Sequence, residues 1–384
     1  MQNKTLSIIT CLVFIFISAC GTNEPVKEQA RSNQPGSAAQ KSLCGNGICA
    51  APENASNCPA DCAQPTAQLQ TQQKVQPSSA EKKNDAAVLY LGVMVHLEGW
   101  ADGENQTSFT EHVKLIRDYA ALFEKYGAKF TWESKEVTDG ILKWGDNVLM
   151  EMQQRGHAIG LHADLGGNPQ TICSTLEPDL IQMKRKLESL GVTVRHTSGV
   201  VSHCDWVTAS ANAGFLFVTG TVEYALKSLP IEMQSQEIRD CKNPSSCHDP
   251  YPDSLAERIH PWRANSGADW VESNSNGRLV IMPESGGISH KYEESVGVSK
   301  AGKGTEFNNA DIDALMAELE QAISLADPNQ VNTYYLSWSL GAALDKVLLE
   351  KWLQRVQLLV ETGKVQWKTI PEMYDAFVSW EKEK

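Results

Sequence analysis

From residue 87 onward, short apolar runs alternate with longer stretches whose apolar residues recur every three or four positions. The run over 88–95, VLYLGVMV, is apolar nearly throughout, as expected of a strand buried on both faces. Ser108 or Thr110 can cap a helix running to Tyr126, with Val113, Ile116, Tyr119, Ala120 and Phe123 as its inner stripe. Further strands are predicted over 128–132, 158–161, 192–195, 215–218, 279–282, 333–336 and 365–369. Helices are predicted up to Arg155 and over 177–190, 205–213, 310–325 and 340–361. A stretch from about 230 to 276 keeps neither period and reads as an insertion that walls or covers a site. Seven or eight strand–helix units in about 300 residues predict an α/β fold, a distorted (β/α)7-8 barrel rather than an open sheet.

The first 86 residues follow another logic. Lys4 precedes an apolar run over 6–17 that is short for a membrane span. Ile17-Ser18-Ala19-Cys20-Gly21 then resembles a bacterial lipoprotein box. The resemblance implies a signal peptide over 1–19 and a lipidated Cys20 anchored in a lipid bilayer; an ordinary secretory signal is the alternative. Gly21 is not the aspartate associated with inner-membrane retention, so the outer membrane or cell surface is expected. Residues 20–43 and 63–86 are polar and nearly free of large apolar side chains, and read as a tether and a linker. Between them, Cys44, Cys49, Cys58 and Cys62 mark a unit over 44–62 too small for a core of its own, so it needs staples. It resembles a short CGNGxC…CPxDC module of secreted proteins, which implies disulfides around a calcium ion. Asn46, Glu53, Asn57 and Asp61 are the oxygen donors, and a disulfide knot without metal is the alternative.

Export favours disulfides among the eight remaining cysteines, the later four being Cys173, Cys204, Cys241 and Cys247; their pairing is left open by sequence. The formal net charge of −13 and the lack of a Lys/Arg cluster argue against a nucleic-acid partner.

The candidate chemistry centres on 156–167, GHAIGLHADLGG, where a strand delivers His162 and Asp164 into a glycine-rich turn. In an α/β barrel, residues at the C-terminal strand ends face the mouth. His96 and Glu98 stand two apart on the first strand and so share a face. His96, Glu98, His162 and Asp164 form a histidine and carboxylate donor set with open positions, suited to zinc or another first-row divalent metal. His203, after the fourth strand, is a further candidate ligand, although the adjacent Asp205 reads equally as an early-turn helix charge. Glu284 lies beyond the strand over 279–282 and, with Asp164, is a candidate acid or base. Trp100, Trp262 and Trp338 offer flat faces for sugar rings, with core packing as the alternative. Arg195 and Arg263 complete the candidate substrate contacts, Arg263 beside Trp262 suiting a carboxylate.

The order of segments resembles the polysaccharide deacetylase (NodB-homology, carbohydrate esterase family 4) superfamily. LFEKYGAKFTW over 122–132 is similar to its "ky-akaTfF" segment, GHAIGLH over 156–162 to its "GHEIGNH", and RHTSG over 195–199 to a modified "RxPyG". The resemblance covers most of 87–384. It implies a NodB-type barrel and metal-dependent hydrolysis of acetyl groups on a polysaccharide, the metal often being zinc. Carried over by position, Glu98 stands for the metal aspartate and His162 for the first metal histidine. Leu97 falls at the catalytic base, Gly166 at the second histidine and Trp338 at the late acid. Two other readings stay open: a non-catalytic glycan-binding lipoprotein, and a glycoside hydrolase using paired carboxylates such as Glu98 and Glu284.

Overall fold

The computed structural model describes residues 87–167, 170–242, 246–289, 291–295, 307–340 and 344–384. The signal peptide, Cys20, both polar connectors and the cysteine module with Asn46, Glu53, Asn57 and Asp61 lie outside the described residues. The fold lies within the unit Glu81–Lys384.

In chain order the elements are β1 (Leu89–Leu97), α1 (Gln106–Glu124), β2 (Phe130–Ser134), α2 (Val137–Trp144), α3 (Val148–Gln154), β3 (Ala158–His162), α4 (Cys173–Glu188), β4 (Val194–Ser198), α5 (Trp206–Asn212) and β5 (Phe217–Val218). There follow α6 (Gln236–Asp240), α7 (Leu255–Arg258), β6 (Trp262–Ala264), β7 (Leu279–Ile281), α8 (Lys291–Ser295), α9 (Asn309–Leu325), β8 (Asn332–Ser339), α10 (Lys346–Glu361), β9 (Val365–Trp367) and α11 (Ile370–Glu383). Helix starts follow local chemistry. The Asn105 side chain accepts from the backbone of Thr107 and Ser108 to cap α1, a few residues before the expected start. Asn308 and Asp311 form a capping box on α9.

The sheet runs β6-β7-β5-β4-β3-β2-β1-β8, with β9 beside the first half of β1. All pairs are parallel except β6 with β7. The circle closes where the segment after β7 joins β8: Ser285 N–H donates to Tyr335 O (2.9 Å), Ser337 N–H to Gly286 O (3.0 Å) and Ile288 N–H to Ser337 O (2.9 Å). The protein is therefore a distorted α/β barrel of seven parallel strands, with β6 as an antiparallel edge.

Inside the barrel, chemistry changes with height. Met94, Phe217, Val280, Met282 and Tyr335 form an apolar layer, sealed from below by Ile370, Met373, Tyr374 and Phe377 of α11. Two residues further along the same strands, on the same face, stand His96, Thr219, Glu284 and Ser337. The plug at one end leaves only the C-terminal strand ends for a site. Helix α11, started by a Thr369 and Glu372 capping box with Pro371 in its first turn, is absent from the predicted elements. The insertion is not structureless either; it carries α6, α7 and β6 and is braced by a Cys241–Cys247 disulfide. Cys173 pairs with Cys204, tying the start of α4 to the segment after β4. Among the described residues, no helix is long and apolar enough to cross a membrane.

Candidate metal centre and active site

Register brings the polar layer together. His96 of β1 lies level with Glu133 of β2, Glu133 with Gly160 of β3, and His162 with Ser198 of β4. The absent side chain at Gly160 makes room for the next strand: a Cβ there would lie 2.1 Å from His196 Nε2. Gly199, at φ +65°, is equally constrained, because a Cβ would come within 2.5 Å of Asp164 N.

Glu133, fully buried, is the keystone. Its Oε1 accepts from Thr219 Oγ1 at 2.6 Å, and its Oε2 accepts a short bond from Ser198 Oγ. His96 Nε2 and His196 Nε2 each approach it to 3.1 Å, off the line of a good hydrogen bond. Burial opposes its charge, but the two histidines outweigh burial and hold the carboxyl far below the usual range. An ionised carboxylate only accepts, so Ser198 spends its proton on Glu133 and its oxygen receives Nδ1–H of His162, 2.8 Å away. His162 Nε2 is then a lone pair aimed at Glu98 Oε2, 3.0 Å distant.

Two acceptors face each other at that point, and the contact is favourable only with a cation or a proton between them. His96 completes the group, stacked on His162 with ring centroids 4.1 Å apart and its Nδ1 3.8 Å from Glu98 Oε1. One donor atom from each of His96, Glu98 and His162 lies within 4.8 Å of the others. The donors, with His162 held through Nδ1 by Ser198 and Glu133 and with His96 Nε2 close to the Glu133 carboxylate, fit a divalent first-row metal such as zinc. Burial opposes ionisation of Glu98, yet a proton shared with His162, together with the charges of His96 and Lys135, brings it to about 2. His96 is raised, burial being outweighed by Glu133, Glu98 and Glu284.

A cavity of about 470 Å³ opens over this group, lined also by Glu284, His248, Glu294, Gly220, Gly166 and Trp338. Glu284 is buried, and burial with the neighbouring carboxylates Glu294 and Glu133 pushes it up to about 7 against the pull of His96 and Lys291. Burial lowers His248, aided by His96 and resisted by Asp249 and Glu98. A larger cleft of about 820 Å³ lies elsewhere, along Trp100, Asp102, Glu136 and Lys143; no histidine lines it.

Of the residues singled out from sequence, His96, Glu98, His162 and Glu284 come together here and Trp338 lines the cavity, its ring edge-on to Tyr119 at 4.7 Å. The others stand apart from the donor group. Asp164 lines the same cavity but at its rim, with a left-handed backbone at φ 47°, its side chain 54% exposed and held by Lys135 at 2.6 Å. His203 flanks the Cys173–Cys204 disulfide, 3.6 Å from Cys173 Sγ, and those sulfurs, being bonded to each other, are not thiolate ligands. Trp100 stacks on His112 with ring centroids 4.6 Å apart and lines the other cleft. Arg195 sits near the start of β4, paired with Asp375 of α11 and lying over the Tyr374 ring. Trp262 and Arg263 belong to a third cavity, where Arg263 clasps Glu381 at 2.7 Å and the Trp262 indole donates to Trp270 O.

Glu133, His196, Ser198, Thr219 and His248 have no assigned role in the sequence reading. Glu133 lies one residue past the predicted strand end at 132, and the strand continues to Ser134. The alternation Thr131, Glu133 along an otherwise apolar strand is the signal that marks it. His248 carries no comparable signal, since only the fold of the insertion brings it to the cavity.

No family model and no curated protein matches the sequence. Solved structures resemble the chain. A protein assigned as a polysaccharide deacetylase from Mycobacterium smegmatis superposes with a TM-score of 0.48 at 12% identity, over 80% of this chain and 96% of that one. Another so assigned, from Pseudomonas aeruginosa PAO1, gives 0.49 at 12% identity over 75% and 90%. An allantoinase gives 0.48 at 10% identity over 76% and 90%.

Proposed function

We propose that residues 87–384 form a metal-dependent hydrolase that removes acetyl groups from a polysaccharide, tethered through lipidated Cys20 at the outer membrane or cell surface. The observation that carries the reading is the convergence of His162 Nε2, Glu98 Oε2 and His96 beneath a cavity that also holds Glu284. The sequence resemblance supplies the substrate class, and the N-terminal pattern supplies the tether.

His96, Glu98 and His162 would hold the ion, with Glu133 and Ser198 fixing the imidazoles. Bound there, it would polarise the acetyl carbonyl as a Lewis acid. Glu284 acts as the general acid. With a pKa of about 7 it keeps a proton near neutrality and gives it to the departing amine or hydroxyl. Glu284 itself is buried at the cavity wall, and Trp338 of β8 lines the same cavity.

The test is metal content by elemental analysis, with acetate release from N-acetylglucosamine oligomers and O-acetylated xylan. The expected result is about one zinc per chain and zinc-dependent acetate release, with His162→Ala losing both. Glycan binding without metal or acetate release overturns the hydrolase and leaves the binding reading.

A further inference from the structure

We infer that His248, carried into the cavity by the insertion, is the general base that activates the hydrolytic water. The inference rests on the hydrolase reading and deepens it, since Leu97 is an inert, buried alkyl group, Asp164 is tied to Lys135 at the rim and Glu284 is taken up as the acid.

The observation is a histidine built into the site without structural employment. His248 lines the cavity together with His96, Glu98, His162 and Glu284. Its Nδ1 is buried with no hydrogen-bond partner, and neither ring nitrogen makes a hydrogen bond among the described residues. A half-buried imidazole left unpaired costs stability unless a ligand or water completes it. Its backbone, in contrast, is clamped on both sides. Tyr224 N–H donates to Cys247 O (3.0 Å), Glu223 N–H to Asp249 O (3.0 Å) and Tyr251 N–H to Thr221 O (3.1 Å). Val222 bridges Pro250, so the segment around His248 is laid antiparallel on the chain leaving β5, and Cys247 is buried in its disulfide with Cys241. A side chain with no partner on a backbone so firmly held is the arrangement expected of a group preorganised for chemistry.

The proposed step balances. A neutral ring nitrogen of His248 takes one proton from water while the electron pair of that O–H bond forms the new C–O bond to the acetyl carbon, the carbonyl π pair moving onto its oxygen. That pair then returns as the bond to the leaving nitrogen or oxygen breaks, and the leaving atom takes the Glu284 proton. Acetic acid and the free amine or hydroxyl result, and solvent returns the proton from His248 to Glu284. The two groups line one cavity, so the proton passes between them through the solvent it holds.

The test uses the zinc-loaded full chain and the two acetylated glycan probes. His248→Ala is expected to lower kcat by about 10²- to 10⁴-fold, with KM and zinc content unchanged and activity partly restored by free imidazole. His248→Gln, which keeps size and polarity, is expected to lose as much activity and resist rescue. As a readout apart from turnover, ¹⁵N-labelled His248 ring signals should shift when acetate is added to the zinc-loaded protein. Retained kcat in both variants with zinc in place, or ring signals indifferent to acetate, overturns the inference while the hydrolase reading stands. A purely structural role would lower the melting temperature without imidazole rescue, and also overturns it. A wild-type chain that releases no acetate overturns the hydrolase reading itself, and the role of His248 with it.

Discussion

The exchange Glu133→Gln preserves shape and removes one charge, and its consequences travel along a defined chain of hydrogen bonds. In the native site Glu133 Oε1 serves Thr219 and His196, and Oε2 serves Ser198 and His96. An amide keeps one acceptor and replaces the other by a donor. With its oxygen toward Thr219, the new NH₂ faces Ser198, which turns to accept and must then donate to His162 Nδ1. His162 is driven into the opposite tautomer, with a proton on the Nε2 that faces Glu98 at 3.0 Å. The lone pair needed for a metal is lost. Removing a group that orients a ligand typically costs 10- to 100-fold in metal affinity, or about 1.4 to 2.7 kcal/mol. Separately, the two histidines lose their buried countercharge, and breaking one side of a buried ionic group costs about 3–5 kcal/mol of folding stability. The stability loss is thus the larger effect, so zinc affinity is measured by chelator competition at a temperature where the variant stays folded. Urea denaturation of the metal-free proteins gives the stability term, and ¹⁵N shifts report the His162 tautomer. Zinc affinity within twofold of wild type together with an unchanged tautomer would refute the relay from Glu133 through Ser198.

Glu284 should titrate near 7 in the metal-free protein, followed by ¹³C-carboxyl NMR, and move down on zinc addition because a nearby cation favours the ionised form; a midpoint between 4 and 5 without metal would remove it as the acid. His157 is a separate acid sensor. Its Nδ1 accepts from Phe130 N–H at 2.9 Å and Trp132 Nε1–H at 3.3 Å, and burial, with Lys129 and Arg155, lowers it to about 4 despite Glu124. With the folded value below the ordinary 6.5, the unfolded chain takes the proton first, so stability is whole above 6.5 and falls as pH drops toward 4. The span is worth roughly 3 kcal/mol, read as a falling urea midpoint, and His157→Gln should flatten that slope; an unchanged slope in the variant would show that other groups set it. Asp164→Asn should leave zinc affinity within about twofold of wild type by competition titration, since Asp164 pairs with Lys135 on the rim; a tenfold loss would return it to the metal set.

The barrel was legible because its cause is distributed. Many apolar residues at period two or three to four must agree before a strand–helix alternation emerges, and local exceptions do not spoil it. The missed helix α11 shows the limit of that signal. Its Thr369 and Glu372 caps were readable, but they follow directly on β9 and were absorbed into a strand expected over 365–369. The strand-end residues that line the cavity, His96, Glu98, His162 and Glu284, were legible for the same reason as the strands, since period two and a parallel barrel aim them at the mouth. Arg195 and Arg263 show a second limit, because an arginine near a strand reads the same whether its partner is a substrate or, as the structure has it, a carboxylate of α11.

What sequence hides is complementarity between elements far apart in the chain. Where the sequence pattern would put a base, a second histidine and a late acid stand Leu97, Gly166 and Trp338, and a position-by-position reading counts them as lost chemistry. A cavity has no such bookkeeping. The polar layer above the apolar plug draws on β1, β2, β3, β4, the chain after β5 and the chain after β7, and any of these can supply a proton carrier at the same point in space. Glu284 and His248 come from two of the elements that carry no motif, and the two histidines of the donor set come from different strands rather than from one strand end. Under the proposed roles, Trp338→His, which places a histidine at the late-acid position, should give no gain in kcat on acetylated glycans: its position is walled in by Tyr119, and Glu284 already carries the proton. A tenfold or greater gain would show that the acid is missing rather than relocated, and would return the protein to the class of barrels that bind glycans without cleaving them.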